Sequence, residues 1–358
     1  APETYTFERD GISTVSFGGQ TTRLSQSNEL YDELNSSDAS LESLNLMFAG
    51  GNDGKSAGFA DVALNGTTKL LKSKTSSSEM SGSSAVKDLF DNWITEYVTD
   101  VIPNVLTATD ASVGQAGIFG NYAFNAKGHE IDQLFFKGLI GAFTLDQIIN
   151  NYIDAAYLES YKADNDADVI SGSSAPYTTM EHKWDEGFGY LYGHVIDGVA
   201  EDLPTAGTTP SGKGNLLMKY FKKVNDSKDT DIALDVYNAF IMGRAAILNK
   251  DYTVMEAQSA IIKQKLSSVI GHYALNYLSG AIADIGTNVG DARLDAFHGL
   301  SEGYGFILSL QFTNDGSDSP YFTKAEVDNY LSQIDDFYTA DTATLQTIHD
   351  EIKSRFGI

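Results

Sequence analysis

The chain has 358 residues, with 24 Lys and Arg against 49 Asp and Glu and a net charge of -25. That balance leaves no basic face for a phosphate backbone and disfavours anionic membranes, while 42% hydrophobic and 11% aromatic residues are ample for a large core. The absence of cysteine excludes disulfides, thiolate nucleophiles and thiolate metal sites, so a metal would have to be held by His, Asp, Glu, Tyr or water.

In chain order, β-forming residues over 4–18 alternate around Asp10-Gly11 and predict a short hairpin. An amphipathic helix follows to about Asn35, and a Ser/Asp cap near Ser37 precedes a second helix ending near Phe48. Residues 50–84, rich in Gly, Ser, Thr, Asn and Lys, read as a surface loop with one short helix around Leu70. From Ser84 to Ile102 apolar residues recur at three and four, which predicts a buried helix stopped by Pro103. A glycine-punctuated link over 111–125 leads to a helix holding His129 and running to about Gly141, then to a second over 144–161. Asp164, Asp166 and Asp168 resemble the opening of a calcium loop, but Val169 and Ala175 stand where glycine and glutamate are needed, so this reads as a polar loop with calcium the lesser alternative.

Ser174-Ala175-Pro176 reads as the start of a helix carrying His182, Glu186 and His194, and 205–214 as a linker. Helices are predicted near 215–225, 229–249, 253–286, 291–312, 323–334 and 344–356. The class is therefore all-α: duplicated helical bundles with a short N-terminal β-hairpin, divided into 1–204 and 205–358. No run reaches the roughly 20 apolar residues of a membrane helix. A start at Ala1 without an initiator Met is what removal of an export signal leaves.

The candidate chemistry lies in paired histidines and acids. Read as helix, His129 and Asp132 share a face. The pattern His-x-x-x-Glu-Gly-aromatic-Gly occurs twice, at His182/Glu186 and His298/Glu302, and each copy follows a Gly-His dipeptide, at His129 and at His272. Seven residues thus form the candidate metal or ligand site: His129, Asp132, His182, Glu186, His272, His298 and Glu302. Imidazole with carboxylate suits Fe, Zn or Mn. The bland alternative is that these pairs are hydrogen bonds between helices, with the glycines allowing close approach. His194 and His349 read as incidental, and Arg244, inside an apolar helix, as the partner of a buried carboxylate. Tyr190, Tyr192, Phe306 and Leu308 read as core. No Ser-His-Asp arrangement, phosphate loop or His-Glu-x-x-His helix is present.

Gly128-His129-Glu130-Ile131-Asp132, followed by an aromatic run to Gly138, resembles the Gly-x-His-x-x-Glu signature of imelysin-like proteins, with Asp132 in place of Glu and one residue fewer between Gly and His. The opening, Tyr5-Thr-Phe-Glu-Arg-Asp-Gly followed by Gly19-Gln-Thr-Thr-Arg23-Leu, resembles that of the DUF4856 group of bacterial surface lipoproteins. The imelysin resemblance implies a double helical bundle, a place in the periplasm or outer membrane, and a binding role linked to uptake of iron or another divalent metal. A lipid anchor outside this chain would attach it to the membrane. The same resemblance brings metal-dependent peptidase activity as an alternative, and a structural or interaction module with no small ligand is a third.

Overall fold

The computed structural model describes residues 1–78, 83–172, 174–204 and 209–358, so 79–82 of the expected long loop and 205–208 of the expected linker lie outside the described residues. The protein is mostly helical with a short N-terminal hairpin, as the sequence pattern predicts, and it holds two further small hairpins that the pattern does not. The N-terminal hairpin pairs β1 (Glu8–Arg9) with β2 (Ile12–Ser13) across Asp10-Gly11, both at positive φ. It feeds α1 (Gly18–Leu34) and α2 (Leu41–Ala49), the latter started by a reciprocal Ser40/Ser43 cap. After a 3-10 turn at Val62–Leu64 and α3 (Leu71–Lys74) comes α4 (Ser83–Glu96).

Pro103 does not stop this helix. A π-helical stretch, Tyr97–Val101, carries the chain directly into α5 (Ile102–Leu106), with Pro103 at its second position. The glycine-rich link contains a hairpin, β3 (Gly117–Phe119) with β4 (Tyr122–Phe124). The expected pair of helices over 129–161 is instead one helical run: α6 (Ile131–Leu139) continues through π-helical Ile140–Leu145 and Ile148–Tyr152, followed by α7 (Ala155–Glu159) and α8 (Lys162–Asp166). The next helix, α9 (Thr179–Tyr192), begins after Pro176 because Thr178 and Glu181 form a capping box. It ends before a third hairpin, β5 (Val195–Ile196) with β6 (Val199–Ala200). The remaining helices are α10 (Leu217–Ser227), α11 (Ile232–Leu248), α12 (Tyr252–Ile285), α13 (Leu294–Ser309), α14 (Lys324–Gln333) and α15 (Thr342–Phe356).

Packing is organised around two long helical runs. The 34-residue α12 lies against α11, α13 and α15. The run over 131–152 takes α13 along its first part and α9 along its last. One buried apolar cluster includes Phe7, Phe135, Trp184, Phe240, Ile270 and Ile348, from both sides of residues 205–208. Contact between α9 and α11 is close enough that a Cβ on Gly243 would lie 2.0 Å from the Trp184 ring, while Trp184 Nε1 donates to the Phe240 carbonyl at 2.9 Å.

Beside that contact lies a buried ion cluster. Arg244 donates through Nε to Asp185 at 3.0 Å and through Nη2 to Thr14 Oγ1 at 3.0 Å, and its Nη1 is 3.1 Å from Glu181. Tyr5 donates to Asp185 at 2.7 Å, and Arg9 pairs with Glu181 at 3.2 Å. The N-terminal hairpin is thereby held on α9 and α11. Removing one member of such a buried cluster leaves an uncompensated charge, so Arg244→Met is expected to cost about 3–5 kcal/mol in urea unfolding and to speed proteolytic cleavage ahead of α1. A loss under about 1 kcal/mol with an unchanged digestion pattern would remove this cluster as the hairpin's anchor.

Candidate functional site

Helix α6 begins at Ile131, with Glu130 at the N-cap, so His129 lies ahead of the helix and not on one face with Asp132. Its backbone closes a turn with Asn125: Asn125 N–H donates to the His129 carbonyl at 2.9 Å, and Asn125 Oδ1 accepts from His129 N–H at 2.8 Å. Gly128 completes the turn at φ +85, with the Phe297 ring 2.5 Å from where a Cβ would stand, so this position takes only glycine. The His129 ring points to the Asp335 carbonyl, 2.7 Å from Nε2, and packs on Phe337. Burial pulls its pKa down to about 4, so the ring is neutral at neutral pH.

The acids that follow His129 form a seam with α13. Glu130 N–H donates to Ser301 Oγ at 2.9 Å, and Glu130 Oε2 is 2.6 Å from His298 Nδ1. His298 Nε2 stands 3.6 Å from Glu302, one turn on. Glu302 Oε1 accepts from Tyr277 of α12 at 3.0 Å and lies 3.4 Å from Lys137 Nζ. Lys137 also donates to Gln133 Oε1 at 2.9 Å, and Gln133 Nε2 donates to Asp132 at 2.6 Å. The helices approach this closely because Gly305 has no side chain: a Cβ there would lie 2.4 Å from Lys137 Cβ. Ser309 fastens the far end, accepting from Gly141 N–H at 3.1 Å and donating to the Lys137 carbonyl at 2.9 Å.

The charges of the seam perturb one another. Asp132 is pushed up to about 7 by burial and by Glu130, against the opposing pull of Lys137 and Gln133. The Glu130 hydrogen bond raises His298 above its ordinary value. Burial lowers Lys137, with Glu302 and Asp132 opposing.

The other copy of the pattern is built alike from different residues. The His182 ring stacks on Tyr177 at 4.3 Å and hydrogen bonds to the Ser16 backbone, just ahead of α1, as His298 meets Glu130 just ahead of α6. Burial lowers the His182 pKa. Glu186 accepts from Lys183 at 2.6 Å and from Gln20 at 3.0 Å; burial opposes ionisation, yet Lys183 and these hydrogen bonds hold its pKa low. Gly187 lies against Tyr152 and Ile153, and Gly303 against Tyr277. His272 is elsewhere, on α12, lining an open cleft of about 460 Å³ with His349 and Lys353. The structure therefore joins Asp132, His298 and Glu302 in one charged seam, sets His182 and Glu186 in a second cluster, and leaves His129 and His272 outside both.

Glu130, Lys137 and Tyr277 are members of the seam that local patterns did not single out. Two carboxylates of the calcium-like stretch are engaged elsewhere, Asp166 by Lys162 and Tyr252 and Asp168 by Lys250. Among the described residues no group of three or more His, Asp or Glu side chains is placed to hold a metal ion. One imidazole and several carboxylates are suitable donors, but both imidazole nitrogens of His298 face carboxylates and the Lys137 ammonium stands against Glu302. As arranged, the seam does not fit a resident metal.

A helical chain with an N-terminal hairpin and two Glu-Gly-aromatic-Gly helices is the class these features define. The chain belongs to the DUF4856 family, described as a domain of unknown function, which matches residues 2–358. No curated protein and no solved structure matches it.

Asp132 supplies a pH test of the seam. Its folded-state pKa lies above the ordinary carboxyl value, so between about 4 and about 7 the folded chain holds a proton that the unfolded chain has released, and stability falls as pH rises through that window. Asp132→Asn keeps the neutral form at every pH. Its unfolding free energy relative to the unmodified chain is expected to improve from pH 4.5 to pH 8, by an amount on the order of 3 kcal/mol; the same difference at both pH values would rule out a raised Asp132.

Proposed function

We propose that this chain is a non-catalytic interaction module whose two His-Glu helices are internal fasteners, and that it acts by binding a partner. The observation that carries the reading is the internal pairing of the seam: Glu130, Asp132, Lys137, His298 and Glu302 each find a partner on α6, α12 or α13. Lys137 supplies the positive charge that a metal would otherwise bring. The net charge of -25 suits a basic or cationic partner. The metal-dependent peptidase alternative gains no support from the seam, since it needs a metal with an open position for water.

A second reading keeps the role implied by the imelysin resemblance: an exported binding protein of the periplasm or outer-membrane surface, linked to iron or other divalent-metal uptake. What favours it is the surplus of carboxylate in the seam, where Glu130, Asp132 and Glu302 face His298 and Lys137, together with the one-third exposure of the His298 side chain. A cation entering there would displace protons from Asp132 and His298.

Isothermal titration of the metal-free chain with Mn²⁺, Zn²⁺ and Fe²⁺ separates the readings. The fastener reading expects no saturable heat, and expects His298→Ala and Glu302→Gln to lower stability by about 1–3 kcal/mol. Saturable heat that scales with the buffer's ionisation enthalpy and disappears in Glu302→Gln would overturn it in favour of metal binding.

A further inference from the structure

The net charge of -25 hides a local reversal of sign. Between α1, α3 and α9, the cations Arg23, Lys69, Lys74 and Lys183, remote in sequence, gather around the Glu186 carboxylate and the Tyr152 ring. Lys183 Nζ donates to Glu186 at 2.6 Å and Gln20 donates to its other oxygen at 3.0 Å, so that acid is already engaged. The Lys74 and Lys183 ammonium groups stand 5.3 Å and 5.5 Å from the centre of the Tyr152 ring. Lys69 lies along the first turn of α1, its Nζ 3.4 Å from where a Cβ on Gly19 would stand, and that turn carries no acid. Arg23 reaches in from the following turn, with Nη1 3.5 Å from the Tyr190 hydroxyl.

Arg23, Lys69 and Lys74 lack a counter-charge. The buried cations Lys137, Arg244 and Lys263 each face a carboxylate. Arg23, at 6% exposure, meets only the Leu70 carbonyl and the Tyr190 hydroxyl, and the side chains of Lys69 and Lys74 have neither hydrogen bond nor ion pair among the described residues. Arg23 Nη2 and the Tyr152 hydroxyl are likewise without a hydrogen-bond partner, yet neither is sealed from solvent. Burial lowers the Lys74 pKa, and Arg23, Lys183 and Lys69 add to this against the pull of Glu186. Like charges held together without a partner oppose folding, and an anion among them removes that opposition.

We propose that this cluster is a binding site for a phosphate group, free or as a small monoester. Charge selects the class. Lys183 and Glu186 cancel, which leaves Arg23, Lys69 and Lys74 in excess, a match for a phosphate carrying about -1.5 to -2 and not for a single carboxylate. Donor geometry selects it too, since a guanidinium fork and mobile ammonium groups suit a tetrahedral oxyanion, with the Tyr152 hydroxyl as a further donor. The acidic surface beyond the cluster repels a long polyanion, so a nucleic acid does not fit. The site adjoins His182 and Glu186 but asks neither to bind, so it stands apart from the fastener reading.

The test is isothermal titration of the full chain, at constant ionic strength, with inorganic phosphate, glycerol phosphate and acetate. At least one of the two phosphate compounds is expected to bind 1:1, about tenfold or more tighter than acetate, and the tighter of the two tells a free anion from a monoester. Lys69→Gln combined with Lys74→Gln, both at part-exposed positions, is expected to weaken that binding at least about tenfold. Lys228→Gln combined with Lys353→Gln removes the same charge beside α10 and on α15, and is expected to leave it unchanged. No saturable heat with either phosphate compound overturns the proposal, as does acetate binding equally well. So does an equal loss in the two double variants, the sign of general charge attraction, or no loss in either. Because the ligands are compared on the unmodified chain, the result stands even where a variant fails to fold.

Discussion

The fold depends on placing one guanidinium, Arg244, in a core with no access to water. A charge at 0% exposure is tolerated only when its donors are matched, and the matching acceptors come from α9 and from the hairpin before α1. Asp185, pushed up to about 6 by burial against the pull of Arg244, also binds Tyr5 and the Ser16 backbone. The arginine therefore couples segments that are remote in sequence. The Trp184–Gly243 contact beside it fixes how far apart the two helices stand, so charge matching and steric fit select the same arrangement.

The seam between α6 and α13 obeys the same rule with a different outcome. Its acids outnumber its cations; burial and Glu130 favour a proton on Asp132, and the Glu130 hydrogen bond favours the charged form of His298. Sliding one helix against the other would strand Lys137 or Glu302 without its partner, at a cost of several kcal/mol. Gly305 and Ser309 set the spacing at which the partners meet. The two Glu-Gly-aromatic-Gly helices are thus alike in how they are held, each with its histidine at the entry of another helix and its first glycine against a tyrosine.

Much of this was legible in the sequence. Helices α11 to α15 follow from apolar residues at three and four bounded by Asp251, Thr323 and Asp341 caps. Arg244 was readable as an ion-pair partner because its neighbours are apolar. Two hairpins were overlooked although Gly120-Asn121 and Asp197-Gly198 are turn signals between β-forming residues. Pro103 misled because a π-helical turn can carry a helix past it, and nothing local announces that turn. The shared face of His129 and Asp132 dissolved because the Asn125–His129 turn delays the helix until Ile131. Glu130 and His298, 168 residues apart, meet only through tertiary packing, which no periodicity encodes.

The π-helical turns in the run over 131–152 change what a single rod can do. An α-helix repeats its face every 3.6 residues, whereas each wide turn inserts a residue and twists the following face by roughly 100° about the axis. The first part presents Lys137 and Gly138 to α13, and the last presents Tyr152 and Ile153 to α9. The rod behaves like a camshaft, with two lobes set at different angles on one axle. Loss or gain of a single residue between Leu139 and Ile148 would leave the first lobe in place and turn the second away from its helix, so the length of this segment is as constrained as any side chain in the core.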